Sequence, residues 1–290
     1  MKYYIFFLSL FCYSYVTGQT SNSLQQNPNS DFKNFNFDNL TTTTNSFLEI
    51  GYGISSLKYS LYLRPTVTKN SLTEIKYGRR TTKPAGNYSI MEFEDEYFFS
   101  SYNSNSLPKS NLEISFNLWR FGLGLRKGYG YNIANNSAIF PYYQMGLAWS
   151  RGEYSEPNIV SFAGATSYFR RFDRDLKFGT INNAGINVQL TRFLTLNSSF
   201  ETFIIFPRYL VIKQFGSFFI ELLSQTGLDY FTEGVIIKAV PKITPVFYFI
   251  LKNSLSYLFY TLKKDNMNWP FNTEAPLTLE TLKFNVTVTF

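Results

Sequence analysis

The sequence predicts an all-β transmembrane protein, an antiparallel up-and-down β-barrel of about ten strands with one amphipathic helical insertion; eight strands is the alternative. Three observations carry this reading. From Leu282 to Phe290 apolar and polar residues alternate without a break, so Leu282, Phe284, Val286, Val288 and Phe290 share one strand face while Thr281, Lys283, Asn285, Thr287 and Thr289 share the other. One face suits lipid and the other water. The chain holds 31 Phe and 22 Tyr among 290 residues, yet its mean hydropathy is −0.13, so the apolar residues are dispersed among polar ones. No segment has the roughly 20 apolar residues that a membrane-spanning helix needs. Strands of about 9–11 residues can cross instead, because every backbone group pairs between neighbours. A secreted soluble β-sandwich also alternates and carries aromatics, but the aromatic end of the last strand favours the barrel.

The chain opens with Lys2, an apolar run from Tyr3 to Phe11, and Val16-Thr17-Gly18, which reads as a signal peptide over residues 1–18. The only cysteine, Cys12, lies in that segment, and Phe11 before it is a poor match to a lipoprotein box. Residues 19–45 are rich in Gln, Asn, Ser and Thr, with Phe32, Phe35 and Phe37 as their main apolar content, and read as a flexible periplasmic lead-in. The barrel is assigned to residues 46–290.

Within it, Leu48, Ile50, Tyr52 and Ile54 oppose Glu49, Gly51 and Gly53; Leu57, Tyr59, Leu61 and Leu63 oppose Lys58, Ser60, Tyr62 and Arg64; and Ile75 and Tyr77 oppose Glu74, Lys76 and Arg80. This gives up to three strands before residue 83. Residues 83–109 read as a long loop, including the acidic run Glu92, Glu94, Asp95 and Glu96. That run offers oxygen ligands of the kind Ca²⁺ takes, but a solvated loop is the expectation. Leu112, Ile114, Phe116 and Leu118 then give way to Phe121, Leu123 and Leu125, a phase shift that predicts a β-bulge near Trp119 and Arg120. Ile139, Tyr143, Met145, Leu147 and Trp149 make an outward stripe with Gln144, Gly146, Ala148 and Ser150 inward. A hairpin through Thr191-Arg192 places Asn187, Gln189, Asn197 and Glu201 inward.

Over about 207–243 the period changes, and Val211, Phe215, Phe218, Phe219 and Leu222 recur at helical spacing. This helix is a candidate gate or docking element, or a loop helix on the barrel rim. Phe247–Leu251 and Leu255–Phe259 read as a further hairpin around Lys252-Asn253, followed by a loop from Lys263 to Pro276.

The candidate lumen lining is Glu49, Lys58, Arg64, Glu74, Lys76, Arg80, Glu113, Arg126, Glu201 and Lys283. Mixed signs point to a filled lumen or a narrow polar path rather than a pore selective for one ion sign. The chain has no histidine, which removes Ser-His relays and histidine metal sites. No catalytic residue, metal or cofactor is assigned. The 27 Lys and Arg against 20 Asp and Glu leave a mild positive excess that favours anionic lipopolysaccharide. No basic cluster interleaved with stacking aromatics is present, so no nucleic-acid partner is expected.

The last strand, with Phe284, Val286, Val288 and Phe290 on its apolar face, resembles the closing strand of Gram-negative outer-membrane β-barrels. The Gly18-Gln19 junction and the Asn, Lys, Tyr and Phe bias are similar to proteins of the Bacteroidota. The resemblance implies insertion by the barrel-assembly machinery, a site in the bacterial outer membrane, and contact with its lipid and lipopolysaccharide. Two functions are expected: a narrow channel or transporter for small polar solutes, or a non-catalytic structural or accessory subunit of an envelope complex with a sealed lumen.

Overall fold

The computed structural model describes residues 42–58, 69–85, 90–104, 115–134, 136–155 and 168–290. These fall in a unit spanning Phe37–Phe290. The expected signal peptide, nearly all of the lead-in, and the candidates Arg64 and Glu113 lie outside the described residues.

Eight strands make a closed antiparallel barrel in sequential order: β1 Thr43–Lys58, β2 Asn70–Ala85, β3 Ile90–Ser104, β4 Ser115–Ala134, β5 Ser137–Ser155, β6 Leu176–Gln189, β7 Leu194–Ile205 and β8 Leu277–Thr289. β8 closes the ring against β1, with Phe47 opposite Thr289 and Lys58 opposite Thr278. Ser46 and Phe290 add two backbone hydrogen bonds of 3.0 and 2.9 Å at the seam. Closure leaves no strand edge unpaired, the condition for crossing lipid with strands. The end where β1 begins and β8 finishes is called lower below, and the opposite end upper.

The count of eight replaces the expected ten. β1 runs unbroken through Ser55-Ser56 to Lys58, so no separate strand begins at Leu57. That continuity puts Leu57 inside and Lys58 outside, where its amine lies 3.9 Å from the Glu280 carboxylate. Residues 90–104, read as loop, are β3: Phe93, Asp95, Tyr97 and Phe99 are buried in the lumen, and the acids Glu94 and Glu96 occupy the exposed face. No bulge occurs at Trp119-Arg120, since β4 and β5 stay in register from Ser115 to Gly128. The apolar residues change faces there because Phe116 and Leu118 join an apolar layer inside the barrel, while Trp119 and Phe121 face out.

Inside the barrel the side chains pack in three layers, and two smaller apolar clusters, around Tyr129 and Tyr248 and around Ile204 and Tyr260, lie between the wall and the helices that follow β7. At the upper end Phe116, Leu118, Phe203 and Leu277 pack around Phe169 and Phe172, which the segment 168–175 lowers into the mouth. Charged side chains fill the middle. Near the lower end Phe93 meets Phe140 edge-on at 5.1 Å between ring centroids, with Tyr142 beside them.

Between β7 and β8 the chain forms a helical hairpin: α1 Val211–Phe231, a π-helical and 3-10 connection, and α2 Thr244–Asp265. α2 corrects the hairpin of strands expected at Phe247–Phe259. Its inner positions Tyr248, Lys252, Ser256, Phe259 and Lys263 recur at helical spacing and are buried. Because α2 packs on β4, β5, β6 and β7, the hairpin stands against the outside of the barrel rather than inside it.

Two glycines show how tightly the lumen is filled. A Cβ on Gly124 would collide with the Tyr97 ring and hydroxyl, whereas one on Gly227, in α1, meets nothing within 4 Å. Gly124→Val is therefore expected to lower stability by about 1–3 kcal/mol, and Gly227→Ala to raise it by up to about 1 kcal/mol. Urea midpoints of the vesicle-inserted protein test both.

Candidate functional site

Because successive side chains on a strand face opposite ways, the period-two pattern of six strands delivers charges to one level of the lumen. Glu49 of β1 is the hub. Its carboxylate accepts from Lys76 at 2.8 Å, from both terminal nitrogens of Arg126 at 2.9 Å, from Asn285 at 3.1 Å and from Thr287 at 2.8 Å. Arg126 also reaches Asp95 at 3.2 Å, and Arg80 grips Asp95 through Nε at 2.7 Å and Nη2 at 2.8 Å. On the other side, Lys283 donates to Glu74 at 2.9 Å and to Glu201 at 2.6 Å, and Arg120 donates to Glu201 at 2.6 Å. Lys76, 3.1 Å from Glu74, joins the two halves.

The cations outnumber the carboxylates in this cluster, and ring faces supplement the acids. The Arg126 guanidinium lies 4.8 Å from the Tyr142 centroid, Arg120 5.2 Å from Phe203, and Lys76 5.2 Å from Tyr97. Glu49, Lys76, Arg120, Arg126, Glu201 and Lys283 are each no more than 1 % exposed. A water-filled pore leaves its lining side chains accessible. These are sealed against one another.

Of the sequence-selected lining residues, the structure brings together Glu49, Glu74, Lys76, Arg80, Arg126, Glu201 and Lys283. It puts Lys58 on the outer wall. Sequence reading missed Arg120 and Asp95. Both were legible by period two: Leu118, Arg120, Gly122, Gly124 and Arg126 alternate with Trp119, Phe121, Leu123 and Leu125 along β4, and Asp95 sits between Phe93 and Tyr97.

The hairpin meets the wall through a second polar set. On the outer face of β6, Asn182 accepts from the Tyr143 hydroxyl at 3.2 Å and donates to Glu221 of α1 at 3.2 Å; Glu221 is paired with Lys263 of α2. Lower down, Lys252 lies 2.9 Å from Asp229, which also accepts from the Tyr248 hydroxyl at 2.9 Å. Lys127 of β4 bridges Glu92 at 3.2 Å and Glu233 at 3.1 Å, and the Tyr131 hydroxyl donates to the Lys242 carbonyl at 2.6 Å. The face of α1 selected from sequence points the other way: Val211, Phe215, Phe219 and Leu222 are exposed and Phe218 is half-buried, while Ser217, Glu221 and Gln225 are buried.

Phe284, Val286, Val288 and Phe290 line the outer face of β8. With Ile50, Ile54, Ile75 and Phe98 they continue an apolar belt around the barrel.

No protein-family model matches the chain, and no curated protein matches it either. Among solved structures it is similar to Neisserial surface protein A, at 11 % identity and a TM-score of 0.39, covering 86 % of this chain and 99 % of that one. It is also similar to Ail, the attachment invasion locus protein of Yersinia pestis, at 11 % identity and a TM-score of 0.36, covering 85 % and 99 %.

Removing one partner of a buried ion pair strands the other. Arg120→Met is expected to destabilise the barrel by about 3–5 kcal/mol, and Arg120→Met with Glu201→Met by clearly less, since Lys283 keeps Glu74. A double-mutant cycle on urea unfolding should return a coupling of about 0.5–3 kcal/mol.

Proposed function

We propose that this protein is an integral barrel of the bacterial outer membrane with a sealed lumen, serving as a non-catalytic structural or accessory subunit of an envelope assembly. The observation that carries the reading is the buried charge layer, which joins acids and bases from β1, β2, β3, β4, β7 and β8 with no exposed carboxylate or cation among its hub residues. An apolar plug above it and aromatic packing below it support the same reading. A conducting path would have to break several charge-assisted hydrogen bonds in a low-dielectric interior, where each unpaired ion costs several kcal/mol. The role of α1 as a gate loses its basis, because the hairpin stands outside the wall. Placement in the outer membrane is supported by the closed ring of strands, the outward apolar belt and the aromatic end of β8.

Two experiments test this. In a planar bilayer the purified, heat-modifiable protein is expected to give no discrete conductance steps; regular steps would restore the channel reading. If the apolar face of β8 is the signal read by the barrel-assembly machinery, Phe290→Ala should reduce the folded, heat-modifiable fraction in cells while leaving the urea midpoint of already folded protein nearly unchanged. Phe290 is 64 % exposed, so its side chain adds little to packing. Equal folded fractions for the variant and the parent would refute that role.

A further inference from the structure

We propose that the helical hairpin is embedded in lipid: its outer face lies among acyl chains while its inner face closes a polar seam on the barrel wall. The inference rests on the membrane-barrel reading above and extends it to a segment that crosses by no strand.

The hairpin buries the aromatics Tyr248, Phe259 and Tyr260 against the wall, yet it also buries charge and leaves an apolar outer face, which a helix pair on a soluble protein does not. Ser217, Glu221 and Gln225 of α1 and Lys252, Ser256 and Lys263 of α2 are buried, whereas Phe219, Leu223, Ile250 and Leu258 are exposed. In water an amphipathic helix buries its apolar stripe. The opposite arrangement is stable where the surroundings are hydrocarbon, because polar groups then have to find their partners within the protein. These do, in the Glu221–Lys263 and Lys252–Asp229 pairs and in the Asn182 and Tyr143 contacts on the wall.

The exposed charges of the hairpin are confined to its ends. Lys213 and Asp265 are exposed at the upper end, and Glu233, Lys238 and Lys242 at the connection between the helices. That connection reaches the lower part of β4, where Tyr131 meets Lys242. With 21 and 22 residues, the helices are about 32–33 Å long, close to the roughly 30 Å of a bilayer hydrocarbon core. The exposed apolar face also continues the belt formed by Ile50, Ile75 and Val286 on the uncovered wall.

Among the described residues no helix is long and apolar enough to cross a membrane by itself. The wall supplies the reason that these two need not be. Their charged positions face Asn182, Tyr143 and each other, so the hairpin enters lipid as part of the barrel and not as an independent anchor.

The only cysteine is Cys12, so single-cysteine variants are straightforward in a Cys12→Ser background. Nitroxides at Leu223→Cys, Ile250→Cys and Leu258→Cys are compared with Ile50→Cys and Val286→Cys on the belt and with Lys213→Cys and Lys238→Cys at the hairpin ends. All are measured in phosphatidylcholine nanodiscs by collision with oxygen, which partitions into lipid, and with a water-soluble nickel chelate. The expected result is a high oxygen-to-nickel ratio at the hairpin and belt positions alike, and a low ratio at the ends. A low ratio at the hairpin positions with a high ratio on the belt would overturn the proposal and leave the membrane barrel standing. Low collision with both reagents at the hairpin alone would mean a second copy covers the face, and would overturn it equally. A low ratio on the belt as well would sink the barrel reading itself.

Discussion

Glu49 holds the interior together. Its carboxylate receives Lys76 from β2, Arg126 from β4 and Asn285 and Thr287 from β8, so one side chain of β1 ties both of its neighbours and a strand further round the barrel. Taking such a group out of water is expensive, and only a full set of charge-assisted hydrogen bonds offsets the penalty. The rest of the lumen follows from that demand. Arg126 needs Asp95 as well as Glu49; Asp95 brings in Arg80; Lys76 links Glu49 to Glu74, and through Lys283 to Glu201 and Arg120. Gly124, lacking a Cβ, leaves room for the Tyr97 ring and hydroxyl beside these charges.

The same rule explains the hairpin. Where β5 and β6 turn a hydroxyl and an amide outward, at Tyr143 and Asn182, α1 and α2 turn Glu221 and Lys263 inward to meet them. Polar atoms are gathered at two places, the lumen and the seam, and the surface between the ends of the barrel is left apolar over both strands and helices. A wall and a helical hairpin thus share one outer skin.

Much of this was legible in local sequence pattern. Alternation assigned the inward and outward faces of β5, β6, β7 and β8, and it identified most of the lumen charges. It failed where tertiary surroundings changed what a face means. The upper lumen is apolar, so Phe116 and Leu118 pointed inward looked like a bulge. The outer face of β3 is acidic at its lower end, so a strand with Phe93, Tyr97 and Phe99 inside looked like a loop. In α2 the run Phe247-Tyr-Phe-Ile-Leu251 is apolar and aromatic enough to mimic a strand, and only the burial of Tyr248, Lys252 and Ser256 along one face reveals the helical period.

By itself the sequence determined that this chain builds strands with one apolar and one polar face, most plainly over Leu282–Phe290, and departs from that period after β7. These are properties of neighbours along the chain, set by side-chain alternation over a few residues. The tertiary structure alone decided between eight strands and ten, that Arg120 pairs with Glu201 and Asp95 with Arg80 and Arg126, and that the hairpin shows its charged side to the wall. Those outcomes depend on which residues meet across the lumen or across the barrel wall, as Arg120 meets Glu201 from β4 to β7, and no local period encodes such a partner.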